Sequence, residues 1–228
     1  MLNEEPDASP SGSAFSGASP GLHPDSSRFP ILGVLPVQSR IALVAVVTGP
    51  PGTGKTTLAR ALAQELGCPA IIRDEIKQGM VMNVPNHQVD VDDPLNIATL
   101  EAFFNVITVL VQAGVTLVIE AAFQDRLWRP GLESLMGFAN LRIIRCTTDT
   151  STIVERITDR AGVDGHRAAH GDTALLADME AGTYDPGRFE PISIDAPTLI
   201  VDTSDGYLPG TPEIQAFLRA PRRSPGFR

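Results

Sequence analysis

The chain has 228 residues, 43% of them hydrophobic and 20% charged, enough to bury one core of ordinary size and too few for two. Its 18 basic and 27 acidic side chains give a net charge of −9, which leaves no basic footprint for sequence-blind nucleic-acid binding and makes a long polyanion a disfavoured partner. Cys68 and Cys146 form no CxxC pair, so neither a disulfide framework nor a thiolate zinc site is expected. The longest apolar run, Ile41 to Val47, falls far short of the roughly 20 residues that cross a bilayer, and a cytoplasmic protein without a membrane partner is the expectation.

Residues 1–38 are rich in Pro, Ser and Gly and show no apolar period; such a segment buries too little surface to offset its ordering entropy, so a flexible tail is expected. The apolar run Ile41 to Val47 then enters Gly49-Pro50-Pro51-Gly52-Thr53-Gly54-Lys55-Thr56. That stretch fits G-x-x-x-x-G-K-[ST] between a strand and a helix whose apolar stripe is Leu58, Leu62 and Leu66. Glycines at these positions allow the backbone to turn its N–H groups toward phosphate oxygens, and the following helix adds its positive N-terminal end. The expected nucleotide contacts are Gly49, Pro50, Pro51, Gly52, Thr53, Gly54, Lys55, Thr56 and Thr57. Within them Lys55 reaches the β- and γ-phosphates and Thr56 holds Mg²⁺, so a nucleotide with Mg²⁺ is expected, without the loop alone naming the reaction.

A second strand, Ala70 to Ile72, ends in Arg73-Asp74-Glu75. In an open parallel sheet ligands gather at the carboxyl ends of the strands, where Asp74 can accept a proton from an attacking hydroxyl; the same residue also suits the N-cap of the next helix. The acidic run Asp90, Asp92 and Asp93 reads as a solvated loop. From Asn96 to Gln112 one stripe carries Ile97, Leu100, Phe104, Ile107 and Val111 and another carries Glu101, Asn105, Thr108 and Gln112, which predicts an amphipathic helix.

The third strand, Val115 to Ile119, leads into Glu120, a group able to hold a magnesium-bound water or an acceptor. Arg126 and Arg129 follow at a spacing that shares a helical face, suited to substrate binding or to plain solvation. After a fourth strand, Leu141 to Cys146, a helix over Ser151 to Arg160 sets Arg156 and Arg160 four residues apart. That spacing suits a lid that clamps a triphosphate, and equally a solvated charged helix. His166 and His170 have helical metal-ligand spacing but lie between Gly165 and Gly171, so a glycine-rich lid or loop is the better reading. The fifth strand, Leu199 to Val201, ends in Asp202-Thr203-Ser204, where a contact to the nucleotide base and a plain turn are both open.

None of these strands alternates in polarity, as expected for strands buried on both faces. Strands alternating with helices predict an α/β fold with an open parallel sheet. The folded unit is expected over 39–210 with a lid at about 150–190, followed by a short tail over 211–228.

Together the phosphate loop, Arg73-Asp74-Glu75-Ile76, Val118-Ile119-Glu120-Ala121-Ala122-Phe123, the paired arginines and Val201-Asp202-Thr203-Ser204 resemble the small P-loop kinases, the group that includes polynucleotide kinase, zeta-type toxins and chloramphenicol phosphotransferase. The resemblance spans residues 40–206. It implies a three-layer P-loop fold of the nucleotide-kinase type, a five-stranded parallel sheet with helices on both faces, and ATP-dependent transfer of the γ-phosphate to a hydroxyl. It places the general base on Asp74 and the arginines that stabilise the transferring phosphoryl on Arg156 and Arg160, beside Lys55. Candidate substrate contacts are Arg73, Glu120, Arg126 and Arg129. Glu120 departs from the family, which often has Asp there.

The acidic body favours a small acceptor, such as an antibiotic, nucleoside or sugar derivative. A polynucleotide 5′-hydroxyl or a nucleotide sugar are variants of the same chemistry. A nucleotide switch or ATPase subunit acting on a protein partner is the competing class, and a ring ATPase would need a second helical domain for which residues 207–228 are too few.

Overall fold

The computed structural model describes residues 41–85, 93–122, 124–161, 172–184 and 189–221. The expected tail over 1–38 lies outside them, as do Asp90, Asp92, His166 and His170.

The described elements are β1 (Ala42–Thr48), α1 (Lys55–Leu66), β2 (Ala70–Ile72), α2 (Arg73–Val81), α3 (Leu95–Gln112), β3 (Leu117–Glu120), α4 (Asp125–Leu135), β4 (Ala139–Thr147), α5 (Thr150–Ala161), α6 (Asp172–Glu180), β5 (Thr198–Asp202) and α7 (Thr211–Arg219). The five strands pair in parallel in the order β2-β3-β1-β4-β5. This is the expected α/β sheet, with β1 at its centre.

Burial explains why β1 carries an unbroken apolar run. Val44 and Val46 face one layer with Leu117, Ile119, Leu141 and Ile143, covered by Phe103, Ile107 and Val111 of α3 and by Trp128, Leu132 and Leu135 of α4. Ala45 and Val47 face the other, with Val118, Ile144 and Val201, covered by Leu58 and Leu62 of α1 and by Ile214 and Leu218 of α7. Two buried layers with helices outside them leave no polar face for alternation to mark. On the α3 side Phe103 meets Trp128 edge to face, ring centroids 5.4 Å apart.

Two expectations change. In α3 the fully buried positions are Thr99, Phe103, Ile107 and Val111, whereas Ile97 is exposed and Phe104 only partly buried; the contact stripe is rotated by about one residue because Phe103 must meet Trp128. By length and composition α3 is apolar enough to cross a membrane, yet its Phe103–Ile107–Val111 edge belongs to the sheet core. The tail expected over 211–228 is also corrected, since residues 211–219 form α7, with Ile214 and Leu218 buried. The cues are present in the sequence: Pro212 in the first turn and an apolar pair at i, i+4.

Arg142, on β4 and only 4% exposed, fixes the end of α7. It donates from Nη2 to the carbonyls of Ala220 (2.7 Å) and Pro221 (3.0 Å), and its guanidinium lies 5.2 Å from the centre of the Phe217 ring. Removal of a charged donor from two carbonyls is worth about 2 kcal/mol. Arg142→Ala is therefore expected to lower the unfolding free energy by about that amount, measured by urea denaturation, and to speed amide exchange in α7 more than in β1.

Candidate functional site

β1 delivers the chain to the carboxyl edge of the sheet, where the backbone must turn between β4 and α5. Gly49 does so at φ 142° and Gly52 at φ 81°. A Cβ on Gly49 would lie 2.3 Å from the Cys146 carbonyl oxygen, and one on Gly52 would lie 2.9 Å from Ile153 Cγ2. Only glycine fits either place. Cys146 is buried, its thiol pushed up to about 12 chiefly by desolvation, so it packs beneath the loop as an inert side chain. Cys68 is half-buried.

The loop is held through its carbonyl groups. The Pro50 carbonyl accepts from Thr53 Oγ1 and from Lys55 Nζ, each at 2.8 Å. The Thr53 carbonyl accepts from Thr203 Oγ1 at 2.9 Å, and the Gly52 carbonyl from Arg156 Nη1 at 3.5 Å. Arg156 Nη2 also donates to the carbonyls of Thr203 (2.6 Å) and Ser204 (3.3 Å). Asp149 caps the start of α5 by accepting from the Thr152 N–H at 2.7 Å, and bonds from Ser151 and Thr152 hold its carboxyl below the usual range. That cap sets the helix that carries Ile153 and Arg156 under the loop. No side chain caps α1 behind Gly54, so its first-turn amides keep the polarity that attracts an anion.

A cleft of about 910 Å³ opens over this loop, within the range of sites that hold a nucleotide-sized ligand. Of the expected nucleotide contacts Gly52, Gly54, Lys55, Thr56 and Thr57 line it; Gly49, Pro50, Pro51 and Thr53 shape the loop without lining the cleft. Asp74, Arg156 and Arg160 line it as well.

Beneath the cleft Thr56 Oγ1 donates to Glu120 Oε2 at 2.9 Å. Glu120 ends β3 level with Val47 and Ile72 and is 3% exposed. Burial raises its carboxyl above the ordinary value; Lys55 and the Thr56 bond oppose this, and Asp74 and Glu75 add to it. A buried carboxylate joined to a hydroxyl, with further acids nearby, is a hard oxygen environment that gains from a divalent cation. Mg²⁺ fits it, because that ion takes few protein oxygens and completes its shell with phosphate and water. Among the described residues no cluster of three His, Cys, Asp or Glu forms a metal cage.

Asp74 stands in the first turn of α2. The N-cap there is Ile72, in extended conformation and without a side-chain cap bond, so Asp74 is no cap; its Oδ1 accepts from Arg73 Nη1 at 3.0 Å. Arg73 does not line the cleft, because its other terminal nitrogen is turned to Asn96 Oδ1 at 2.9 Å. Arg126 is exposed on α4, and Arg129 pairs with Asp125 at 3.8 Å. Neither lines the cleft, because α4 covers the α3 face of the sheet, away from the edge where α1, α2 and α5 meet.

Ile72 at the end of β2, Thr203 just after β5, and Arg60, Glu75, Gln78, Gly79, Met82, Gly206 and Tyr207, which the sequence reading missed, complete the lining. Arg60 and Glu75 form an ion pair across it. The signal for the α2 wall was available, since 74, 78 and 82 follow helical spacing from Asp74.

Comparison with known proteins agrees with this fold. A family model described as an AAA domain (AAA_33) matches residues 44–186. Uncharacterized proteins of Mycobacterium tuberculosis and Mycobacterium bovis are 26% identical over 175 residues, covering 72% of this chain and 34% of their own length. The chain thus spans about a third of the length of the curated relatives it matches. Among solved structures, a candidate kinase from Chloroflexus aurantiacus is 26% identical with a TM-score of 0.64, covering 79% of this chain and 96% of its own. A sugar kinase from Janibacter sp. shares the fold at 18% identity and a TM-score of 0.56, covering 78% and 94%.

The raised Glu120 carboxyl has a consequence for stability. The native state binds its proton more tightly than the unfolded state does, so this residue's contribution falls as pH rises from about 4.5 through the native value. Glu120→Gln is expected to be more stable than wild type at pH 7, with the difference closing below pH 4.5, as read by denaturant titration across that range.

Proposed function

The chain belongs to the AAA_33 family and has the fold of the small P-loop kinases, and on that premise we propose that it is an ATP-dependent phosphotransferase acting on a hydroxyl of a small molecule. The observation that carries this reading is one cleft lined both by the phosphate loop and by Asp74. A nucleotide switch needs the loop; a carboxylate on the wall of an open cleft beside it also gives an acceptor hydroxyl a place and a base.

The residues divide the work as follows. Loop amides and Lys55 bind the β- and γ-phosphates, which requires the Lys55 ammonium to leave the Pro50 carbonyl for phosphate oxygens. Thr56 and Glu120 would hold Mg²⁺, which would neutralise charge on the terminal phosphates. Asp74 orients the acceptor hydroxyl and takes its proton as oxygen bonds to the γ-phosphorus and the bond to the β-phosphate oxygen breaks. Arg160 faces the charge that spreads over the transferring group, while Arg156, expected in the same role, spends both terminal nitrogens on the carbonyls of Gly52, Thr203 and Ser204 and braces the loop instead. Thr203, Gly206 and Tyr207 form the wall on the side of the loop after β5, where we place the base.

Asp74, Glu75 and Gln78 lie along the α2 side of the cleft. The Asp74 carboxylate, the Gln78 carboxamide and a Glu75 already paired with Arg60 suit a polyhydroxyl compound, such as a sugar derivative, nucleoside or antibiotic, better than a phosphorylated end. A polynucleotide is correspondingly disfavoured, in keeping with the net charge of −9.

The test is transfer from γ-labelled ATP with Mg²⁺ to a panel of sugars, nucleosides and aminoglycosides. Asp74→Asn is expected to slow transfer by roughly 10²–10⁴-fold while the KM for ATP stays within about twofold. Transfer at the wild-type rate would remove Asp74 from the base role.

A further inference from the structure

We infer that Asn96 is a positioning residue for Asp74, joined to it through Arg73; the inference rests on the proposal that Asp74 orients the attacking oxygen. Asn96 lies in the first turn of α3, outside the cleft lining and in a different element from every residue given a role above.

Arg73 and Lys77 stand four residues apart on α2 and so share a face of it. Both are turned into the contact with α3. Lys77, 2% exposed, donates to Asn96 Oδ1 at 2.9 Å and pairs with Asp93 Oδ2 at 2.8 Å. Asp93, itself 4% exposed, uses Oδ1 to accept the Leu95 N–H at 2.9 Å and thereby fixes the start of α3. Arg73 donates to the same Asn96 oxygen from Nη2, and to Asp74 Oδ1 from Nη1. The result is a row of side chains, Asp93, Lys77, Asn96, Arg73 and Asp74, in which two negative and two positive charges balance around one amide oxygen.

Stability alone does not ask for this arrangement. Two cations converge on a single neutral acceptor, both lone pairs of which are used, and a buried pair such as Lys77–Asp93 is often matched by apolar residues of the same volume. Direction is what the row supplies. A guanidinium is a rigid planar fork, so once one prong is held by Asn96 the other prong points one way, and the Asp74 carboxylate is held with it. Asp74 is a short side chain in the first turn of α2, 39% accessible, and the Arg73 prong is the contact that ties its Oδ1 to α3. Catalysis of phosphoryl transfer rests on positioning and electrostatics, and a displacement of about 1 Å in a catalytic group can cost up to about 10²-fold in rate.

The experiment uses water as the acceptor, so that no acceptor need be known: steady-state Mg·ATP hydrolysis by the full chain, with thermal melting to confirm folding. Asn96→Ala is expected to lower kcat about tenfold and to leave the KM for ATP within about twofold. Asn96→Asp, which keeps the acceptor oxygen, should recover most of the loss. Arg73→Lys, which keeps the charge and loses the fork, should match Asn96→Ala and serves if that variant fails to fold. In the Asp74→Asn background Asn96→Ala should cost nothing further, because the group it positions is already disabled.

An unchanged kcat in both Asn96→Ala and Arg73→Lys, or the same tenfold loss with and without Asp74, would overturn the inference. Hydrolysis by Asp74→Asn at the wild-type rate would instead overturn the base assignment beneath it, and is read from that variant alone.

Discussion

The hydrogen bond from Thr203 Oγ1 to the Thr53 carbonyl, buried and 2.9 Å long, ties the phosphate loop to a residue 150 positions away. A trans peptide directs its C=O and its N–H to opposite sides. Holding the Thr53 carbonyl against the loop after β5 therefore turns the Gly54 N–H away from it, toward the cleft that Gly54 lines. Thr203 is itself held by β4, whose Thr147 carbonyl accepts its N–H at 2.8 Å. Sheet closure at β4–β5 and the shape of the loop after β1 are thus one structural fact, with Arg156 as a second brace from α5.

Charge in the cleft is divided. Lys55, Arg156 and Arg160 border the loop, while Asp74, Glu75 and buried Glu120 occupy the side of β2, α2 and β3. Lys55 Nζ is held by a loop carbonyl, and burial pushes Glu120 toward its neutral form. In the proposed reaction a magnesium nucleotide would give Lys55 a phosphate and Glu120 a cation. A buried carboxyl that costs stability at neutral pH is consistent with a site shaped for a ligand more than for folding.

Much of this is legible in the sequence. The five apolar runs became five parallel strands, because fully buried strands need no alternation, and the loop motif stood where strand, glycines and helix required it. What was not legible depends on which way a helix turns. Arg126 and Arg129 have the same helical spacing as functional pairs elsewhere, but Trp128 and Leu132 commit α4 to the far face of the sheet. Arg73 adjoins Asp74 in sequence and leaves the cleft because Asn96, from α3, draws its side chain away. The closing helix α7 was overlooked because Pro and Gly around it read as punctuation, although Ile214 and Leu218 complete the α1 layer.

The account stands on the loop binding a nucleoside triphosphate through Lys55. Calorimetric titration of Mg·ATP into wild type and Lys55→Ala tests that most directly. The account predicts one site per chain in the wild type and affinity at least about tenfold weaker in Lys55→Ala, the loss expected for a charged bond to phosphate. Equal affinity in the two proteins, or no binding in either, would contradict it.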